Sequence, residues 1–423
     1  MDKKIKVLTI SDHPGIPSGV GTQTKYVIQA LLKTGRYSVT SLGGAIKHPN
    51  YEPQRMEGYD PEDWKVYPVD GYGDAMTVRA LISSEKPDIL WFMTDPRFYR
   101  WLWAMEDEIR PMIPMVYYHV WDNGPAPKFN SNYYRSNDVI ASISKVTHNI
   151  VNEVAPEVKN IYIPHAVDEE HFNTNTDTEE VKNLRKNLLK ISGNASEDKF
   201  LVFWNNRNAR RKMPGSLLRW FKDFLDETGA NATLIMHTDL KDVHGQPLDH
   251  LADSFGYTPD QIVFSTTKMP AKDMARVYKA VDCTINISDA EGFGLSTLES
   301  LACGTPIIVN MTGGLQEQVT DGTNWFGIGI EPSSKAIVGS QEVPYIYEDR
   351  VSREDVVGAL TKMYNMSKED REAMGAAGAS HVAINYNFED FEENWVALMD
   401  SIYDENGSHE TRKNYERWEC IEL

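Results

Sequence analysis

Cysteine is scarce in this sequence: Cys283, Cys303 and Cys420 are the full set among 423 residues. So odd and scattered a trio, with no C-x-x-C pair, excludes a disulfide framework, and a reducing, cytoplasmic setting is expected. Long apolar runs are missing as well. No segment approaches the roughly 20 apolar residues of a spanning helix, and the N-terminal run that begins at Ile5 stops at Asp12 and His13, too soon for a signal-peptide core. No membrane anchor is expected. Asp-x-Asp triplets are absent and the histidines lack zinc-ligand spacing, so neither a metal nor another tightly bound cofactor is expected. Positive charge is outnumbered, with 43 Lys and Arg against 62 Asp and Glu for a formal charge of −19, which opposes nonspecific adhesion to polyanions. Internal repeats and low-complexity tracts are lacking too.

What is present is the composition of a globular protein, 41% hydrophobic and 25% charged, in a chain long enough for two cores. Short β-branched or aromatic runs at Lys4–Ile10, Tyr37–Leu42, Ile89–Met93, Met115–His119 and Val139–Ile143 predict strands. Helix-like stretches such as Lys25–Leu32 separate them. After the polar stretch Asn173–Glu180 and the linker-like Ser192–Asp198 a second series begins, with strands predicted at Phe200–Trp204, Thr233–His237, Gln261–Ser265, Cys283–Ile287 and Pro306–Val309. Alternation of this kind predicts an α/β fold with mainly parallel sheets covered on both faces. The expected division is a first domain over 1–172, a linker over 173–198, a second domain over 199–380, and a C-terminal helix and tail over 381–423 that pack back towards the first domain. The amphipathic stretch Phe388–Tyr403 supplies that helix, and the polar tail from Asp404 is expected to fray.

In parallel sheets, ligands bind beyond the carboxyl ends of the strands. The richest such place is Thr284 to Val309, which reads as strand, glycine loop, short helix, glycine cap and strand. Gly292 and Gly294 let backbone amides approach a phosphate or sugar at the start of the helix, where the dipole favours negative charge. Glu291 opens that loop. Glu299, eight positions on, is a carboxylate on a largely apolar helix and needs either solvent or hydroxyl donors. A tight turn with a surface Glu is the bland alternative. After the strand ending at Trp204 comes Asn205-Asn-Arg207-Asn-Ala-Arg-Arg-Lys212, a cationic loop able to neutralise a departing diphosphate, or else a solvated basic turn. The first strand runs into a loop with Gly19 and Gly21, where Thr22 or Thr24 would cap the next helix; a third glycine is missing, so a dinucleotide fingerprint is poorly supported. His119 ends an apolar run and is expected to emerge where an imidazole reaches a substrate hydroxyl, although a lone His is more often structural.

The segment from Glu291 to Val309 resembles the Glu, seven residues, Glu signature of retaining glycosyltransferases with the GT-B fold, as in glycosyltransferase family 4 (group 1). Arg207 and Lys212 resemble that family's Arg and Lys pair, with Asn206 in place of its usual glycine. Ile163 to Asp168 with Phe172 resembles its interdomain segment, with His165 and Ala166 replacing Asn-Gly. The resemblance implies two Rossmann-like domains with parallel sheets facing across a cleft. It implies a nucleotide-sugar co-substrate such as a UDP-sugar, and retention of configuration. It further implies a catalytic set of Glu291, Arg207, Lys212 and His119, and a donor-binding set of Gly19, Gly21, Gly292, Phe293, Gly294, Leu295, Ser296 and Glu299, with the diphosphate between Arg207, Lys212 and the amides of Gly294 to Ser296.

The acceptor is set by the first domain. Trp91, Phe98, Tyr99, Trp101, Trp103, Tyr117, Tyr118, Trp121, Tyr133 and Tyr134, interleaved with Arg97, Arg100, Arg110, Lys128 and Arg135, could stack on sugars or unpaired bases, though most such rings belong to a core. The wording of Ser18–Tyr26 and Asn205–Lys212 also resembles glycosyltransferases of tailed phages, some of which decorate hydroxymethylated pyrimidines in DNA; a phage protein would work in the host cytoplasm. A saccharide or small-molecule hydroxyl remains the alternative acceptor, and a noncatalytic nucleotide-sugar binding module and a sugar-nucleotide epimerase remain alternative functions.

Overall fold

A computed structural model describes residues 3–175, 178–191 and 199–415. Its contacts divide the chain into two units, one of Met1–Ala166 with Gly339–Ile346 and Glu389–Leu423, the other of Val167–Val338 with Tyr347–Phe388.

The first unit is built on an eight-stranded sheet: β1 (Ile5–Asp12), β2 (Tyr37–Gly44), β3 (Gln54–Arg55), β4 (Trp64–Pro68), β5 (Ile89–Met93), β6 (Met115–His119), β7 (Val139–Ser142) and β8 (Lys159–Tyr162). Their order is β3-β4-β2-β1-β5-β6-β7-β8. Only β3 runs antiparallel to its neighbour; Val7 pairs with Val39 on one side of β1 and with Ile89 on the other. Strands β5, β6 and β7 are buried along their whole length, which is why they read as unbroken apolar runs. The helix Gly19–Lys33 begins earlier than its apolar pattern suggests, so its cap is Ser18, whose Oγ accepts from the Gly21 amide at 2.9 Å, and not Thr22 or Thr24.

The helix Phe388–Asn406 delivers Trp395 into this unit, fully buried against Trp91 and Tyr118 at ring separations of 5.9 and 4.7 Å. Residues 339–346 also belong here, with Val343 in the core and the Tyr345 ring 4.9 Å from Phe129. The tail does not fray at Asp404. The Arg412 side chain is buried and donates to the Arg110 carbonyl at 2.9 Å, to Asn406 Oδ1 at 2.8 Å and to Asp138 at 3.1 Å, a set of bonds that an apolar-periodicity reading cannot see. Residues 416–423, with Cys420, lie outside the described part.

The second unit has a six-stranded parallel sheet of β9 (Phe200–Asn205), β10 (Ala232–His237), β11 (Ile262–Ser265), β12 (Cys283–Asn286), β13 (Ile307–Asn310) and β14 (Gly327–Ile330), followed by the two-stranded β15 (Ser334–Val338) and β16 (Ile346–Arg350). The stretch expected as a linker contains a helix, Thr178–Ile191, tied to this unit by Arg185, which donates to the carbonyls of Ala280 (2.7 Å) and Lys199 (2.9 Å) and pairs with Asp282 at 3.0 Å. Its polar surface had masked a helical period. The linker-like residues 192–198 lie outside the described part. Among the described residues no helix is long and apolar enough to cross a membrane.

Because Trp395 fills the first unit's core without a polar partner for its indole, Trp395→Ala is expected to lower the unfolding free energy by about 3–5 kcal/mol. Urea denaturation followed by near-UV circular dichroism measures this.

Candidate functional site

In the second unit the strand order is β11-β10-β9-β12-β13-β14, so the chain builds outward from β9 on one side and then returns to build outward from β12 on the other. Successive crossovers leave in opposite directions at that point, which opens a crevice beyond the carboxyl ends of β9 and β12. The loops carrying the two sequence motifs follow those two strands.

They are joined by a buried ion pair. Lys212 Nζ donates to Glu291 Oε2 with both side chains enclosed, Asn286 Nδ2 lies 3.4 Å from the same oxygen, and the Asp289 amide donates to the Arg211 carbonyl at 2.9 Å. Arg211 adds a bond to the Ala290 carbonyl (2.7 Å) and stands 3.8 Å from Glu291 Oε1. Burial alone would raise the Glu291 pKa, but the charges of Lys212 and Arg211 and the hydrogen bonds outweigh it and hold the carboxyl below its ordinary value.

Beyond Glu291 the chain turns through Gly292 and Phe293 to Gly294, whose φ of +90° and crowded surroundings exclude a side chain: a Cβ there would lie 2.5 Å from Leu315 Cδ2. Gln318 holds this turn by donating to the Phe293 carbonyl at 2.7 Å, and Thr297 Oγ1 donates to the Gly294 carbonyl, also at 2.7 Å. The helix Leu295–Ala302 then starts with no side-chain cap, and the amides of Leu295 and Ser296 donate to no described residue. Such a terminus suits an anion. Glu299 follows one turn later, partly buried, with Oε2 accepting from the Tyr278 hydroxyl at 2.8 Å. Burial pushes its carboxyl up to about 7 against the lowering effect of that bond.

The remaining expected residues sit differently. Arg207 is exposed and forks onto Asp242 with contacts of 2.5 and 3.2 Å, so it does not share a carboxylate with Lys212. Arg210 is taken by the buried Glu348. Arg207 and Lys212 thus each face a carboxylate, Asp242 and Glu291 respectively: in a chain with 62 acidic residues, loop cations find carboxylates. Asn206 adopts a negative φ, so the position imposes no need for glycine. In the first unit, Gly21 closes against its own loop, since a Cβ would lie 2.9 Å from the Ile16 carbonyl oxygen, and Gly19 is the first residue of the helix. His119 does not emerge at its strand end. It is 0% exposed beneath Tyr134, whose hydroxyl lies 2.8 Å from Nε2, and burial lowers its pKa to about 3, leaving a neutral ring.

Asp242, Tyr278, Asn205 and Gln318 were missed in the sequence because no local pattern marks them. Four buried polar atoms also gather at this sheet edge without a hydrogen-bond partner among the described residues: Asn206 Nδ2, Thr238 Oγ1, Asp289 Oδ1 and Asn310 Oδ1. Buried polar atoms are seldom left so, and a polar ligand would satisfy them. Burial, with Glu348 nearby, raises Asp289 to about 6 against the pull of Arg210, Arg211 and Arg350. Elsewhere in this unit Asp168, Glu170 and His171 bring ligand atoms within 4.8 Å of one another, but His171 Nδ1 is engaged by Asp168 at 2.9 Å.

Residues 185–379 match the family model described as Glycosyl transferases group 1. That family model covers a little under half of this chain. The matched stretch encloses the crevice, both loops and the helix of Glu299. The D-inositol 3-phosphate glycosyltransferase of Thermobifida fusca is 30% identical over 196 residues, 44% of this chain and 39% of that protein. An uncharacterized glycosyltransferase of Methanocaldococcus jannaschii is 25% identical over 204 residues, 48% of each chain. The matches thus span less than half the length of these curated relatives. Solved structures match over nearly the full chain. Sucrose-phosphate synthase from Thermosynechococcus elongatus superposes with a TM-score of 0.73 at 14% identity, covering 95% of this chain and 100% of that one. Anabaena HepE, solved in complex with UDP and glucose, gives 0.68 at 15% identity over 94% and 100%. The two units therefore have the GT-B fold, with a mainly parallel sheet in each.

Protonation of Glu299 carries a stability signature. An acid whose folded pKa lies above its unfolded value, near 4.3, stabilises the fold while protonated, and that contribution is lost as pH rises through about 7. Between pH 5 and 8 the melting temperature of the ligand-free protein is therefore expected to drop more than that of Glu299→Gln. Equal pH profiles for the two in differential scanning fluorimetry would exclude a raised Glu299.

Proposed function

We propose that this protein transfers a sugar from a nucleoside-diphosphate donor to a hydroxyl acceptor, with retention of configuration. The observation that carries the reading is the crevice beyond β9 and β12, where an uncapped glycine-led helix presents the Leu295 and Ser296 amides beside a cationic loop. The diphosphate would rest on those amides and draw Arg207 away from Asp242, so that charge developing on the leaving group meets donors already in place. Glu299 would accept from the ribose hydroxyls, and Glu291, kept ionised by Lys212, would lie beside the donor sugar. HepE, solved with UDP and glucose, supports a uridine donor by its fold.

A free saccharide or polyol hydroxyl is the acceptor best supported. Trp91, Tyr117, Tyr118 and Tyr134 are fully buried, and of the large aromatic side chains in that region Phe98, 47% exposed, stands out to solvent. The guanidiniums there are engaged: Arg97 on Asp95 at 2.9 Å, Arg110 on Asp138 at 3.2 Å, Arg135 on Glu157, and Arg100 on the Glu342 carbonyl. Among the described residues of that region the four arginines are engaged and Lys128 is exposed, a thin supply of cations for a phosphate backbone, which disfavours a base in DNA. The inositol-phosphate relatives point the same way by name.

Incubation with UDP-glucose, GDP-mannose and ADP-glucose, with and without monosaccharides, inositol phosphates and hydroxymethylated DNA, reads the reaction directly. Acceptor-dependent release of nucleoside diphosphate is expected, with the product's anomeric configuration retained by NMR. Donor conversion without any acceptor would indicate an epimerase, and binding without turnover a noncatalytic module. Glu299→Ala is expected to raise the donor KM about tenfold or more, and Arg207→Ala to lower kcat. Unchanged kinetics in both would remove these assignments.

A further inference from the structure

Glu299 ends a chain of three side chains from three elements. Asn205, the last residue of β9, donates from Nδ2 to the Tyr278 hydroxyl oxygen at 2.9 Å, and that hydroxyl donates to Glu299 Oε2 at 2.8 Å. Every donor points the same way, from amide to phenol to carboxylate. A phenol whose oxygen accepts a bond is a stronger donor through its proton. Tyr278 is fully buried and its ring is fixed on both sides, 5.4 Å from Phe203 and 6.2 Å from Phe172, while its backbone carbonyl accepts from Thr305 Oγ1 at 2.7 Å. The relay is thus rigid at its middle member. Glu299 Oε1, by contrast, accepts from no described residue.

A carboxylate tethered through one oxygen presents the lone pairs of the other in a fixed direction. We infer that Asn205 and Tyr278 are positioning residues that aim Glu299 Oε1 at the vicinal hydroxyls of the donor's ribose. This rests on the donor-site reading above. Packing alone would need only the ring of Tyr278; a buried phenol hydroxyl that both accepts and donates is the feature a phenylalanine would lack. The titratable groups that face Glu299 are Tyr278 and Cys303, both kept protonated by burial, and Lys279 in turn faces Cys303. Since the tyrosine hydroxyl lowers the Glu299 pKa, its removal should shift the pH at which the carboxylate forms to a higher value.

Calorimetric titration of the full chain with UDP, GDP and ADP between pH 6 and 9 tests the relay. Tyr278→Phe is expected to weaken binding of the nucleotide preferred by the wild type about tenfold and to move the rise in affinity to higher pH. Its kcat should change little. Phe172→Leu, which loosens the same ring without touching the hydroxyl, should leave that pH dependence in place. Wild-type protein that binds none of the three nucleotides would overturn the donor-site reading and the relay with it. Wild-type binding matched by Tyr278→Phe at every pH would overturn the relay alone. Should Tyr278→Phe not fold, Asn205→Ala is read by the same measurements, with a smaller loss in the same direction expected and unchanged affinity and pH dependence counting against the relay.

Discussion

A lysine and a glutamate, both withdrawn from solvent, hold the second unit's crevice together. Lys212 lies in the loop after β9 and Glu291 in the loop after β12, so their contact bridges the point at which the sheet changes direction. Each charge is costly to bury alone, and each is tolerated because the other is there. The backbone bond from Asp289 to Arg211 repeats the bridge one residue before Lys212 and two before Glu291. With the two loops joined, the turn at Gly294 and the free end of its helix take a defined place above β9. Gln318 and Thr297 lock that turn from the other side.

Two glutamates eight positions apart end in opposite electrostatic states. Glu291 has Lys212 and Arg211 beside it, and they hold its carboxyl below its ordinary value. Glu299 has one phenol donor and no cation among its influences, and burial brings it to about 7. Environments that separate the behaviour of like groups mark sites with divided roles. Under the function proposed above, the division would suit one carboxylate that remains charged beside a sugar and another that gains its charge fully when a ligand's hydroxyls donate to it. The same economy of charge governs the cations: Arg207 is paired with Asp242 and Arg210 with Glu348.

Much of the fold was legible because parallel strands buried on both faces leave continuous apolar runs. Ile89–Met93 and Met115–His119 are predicted residue for residue, and β9, β10 and β13 within one residue at each end. Strands with alternating or exposed patterns escaped: β4 alternates buried and partly exposed residues, and β15 is mostly solvent-facing. The helix Thr178–Ile191 hid behind its charges, and the tail's attachment rests on Arg412, a residue whose type usually signals solvent. At the site, the glycine-led helix and its two glutamates were readable from spacing. The seclusion of His119 was not, since nothing near it in sequence shows that Tyr134 will cover it.

Local order along the chain therefore determined the α/β alternation, the two series of strands, the turn at Gly294 and the one-helix spacing of Glu291 and Glu299. Those features depend on periodicity, backbone freedom and helix geometry, which act over a few residues. Tertiary structure decided the partners. Lys212 meets Glu291 across 79 residues, Arg207 meets Asp242 across 35, and Tyr278 meets Glu299 across 21. Charge and hydrogen-bond pairing follow from which loops a sheet brings to one edge, and strand order, not sequence distance, settles that.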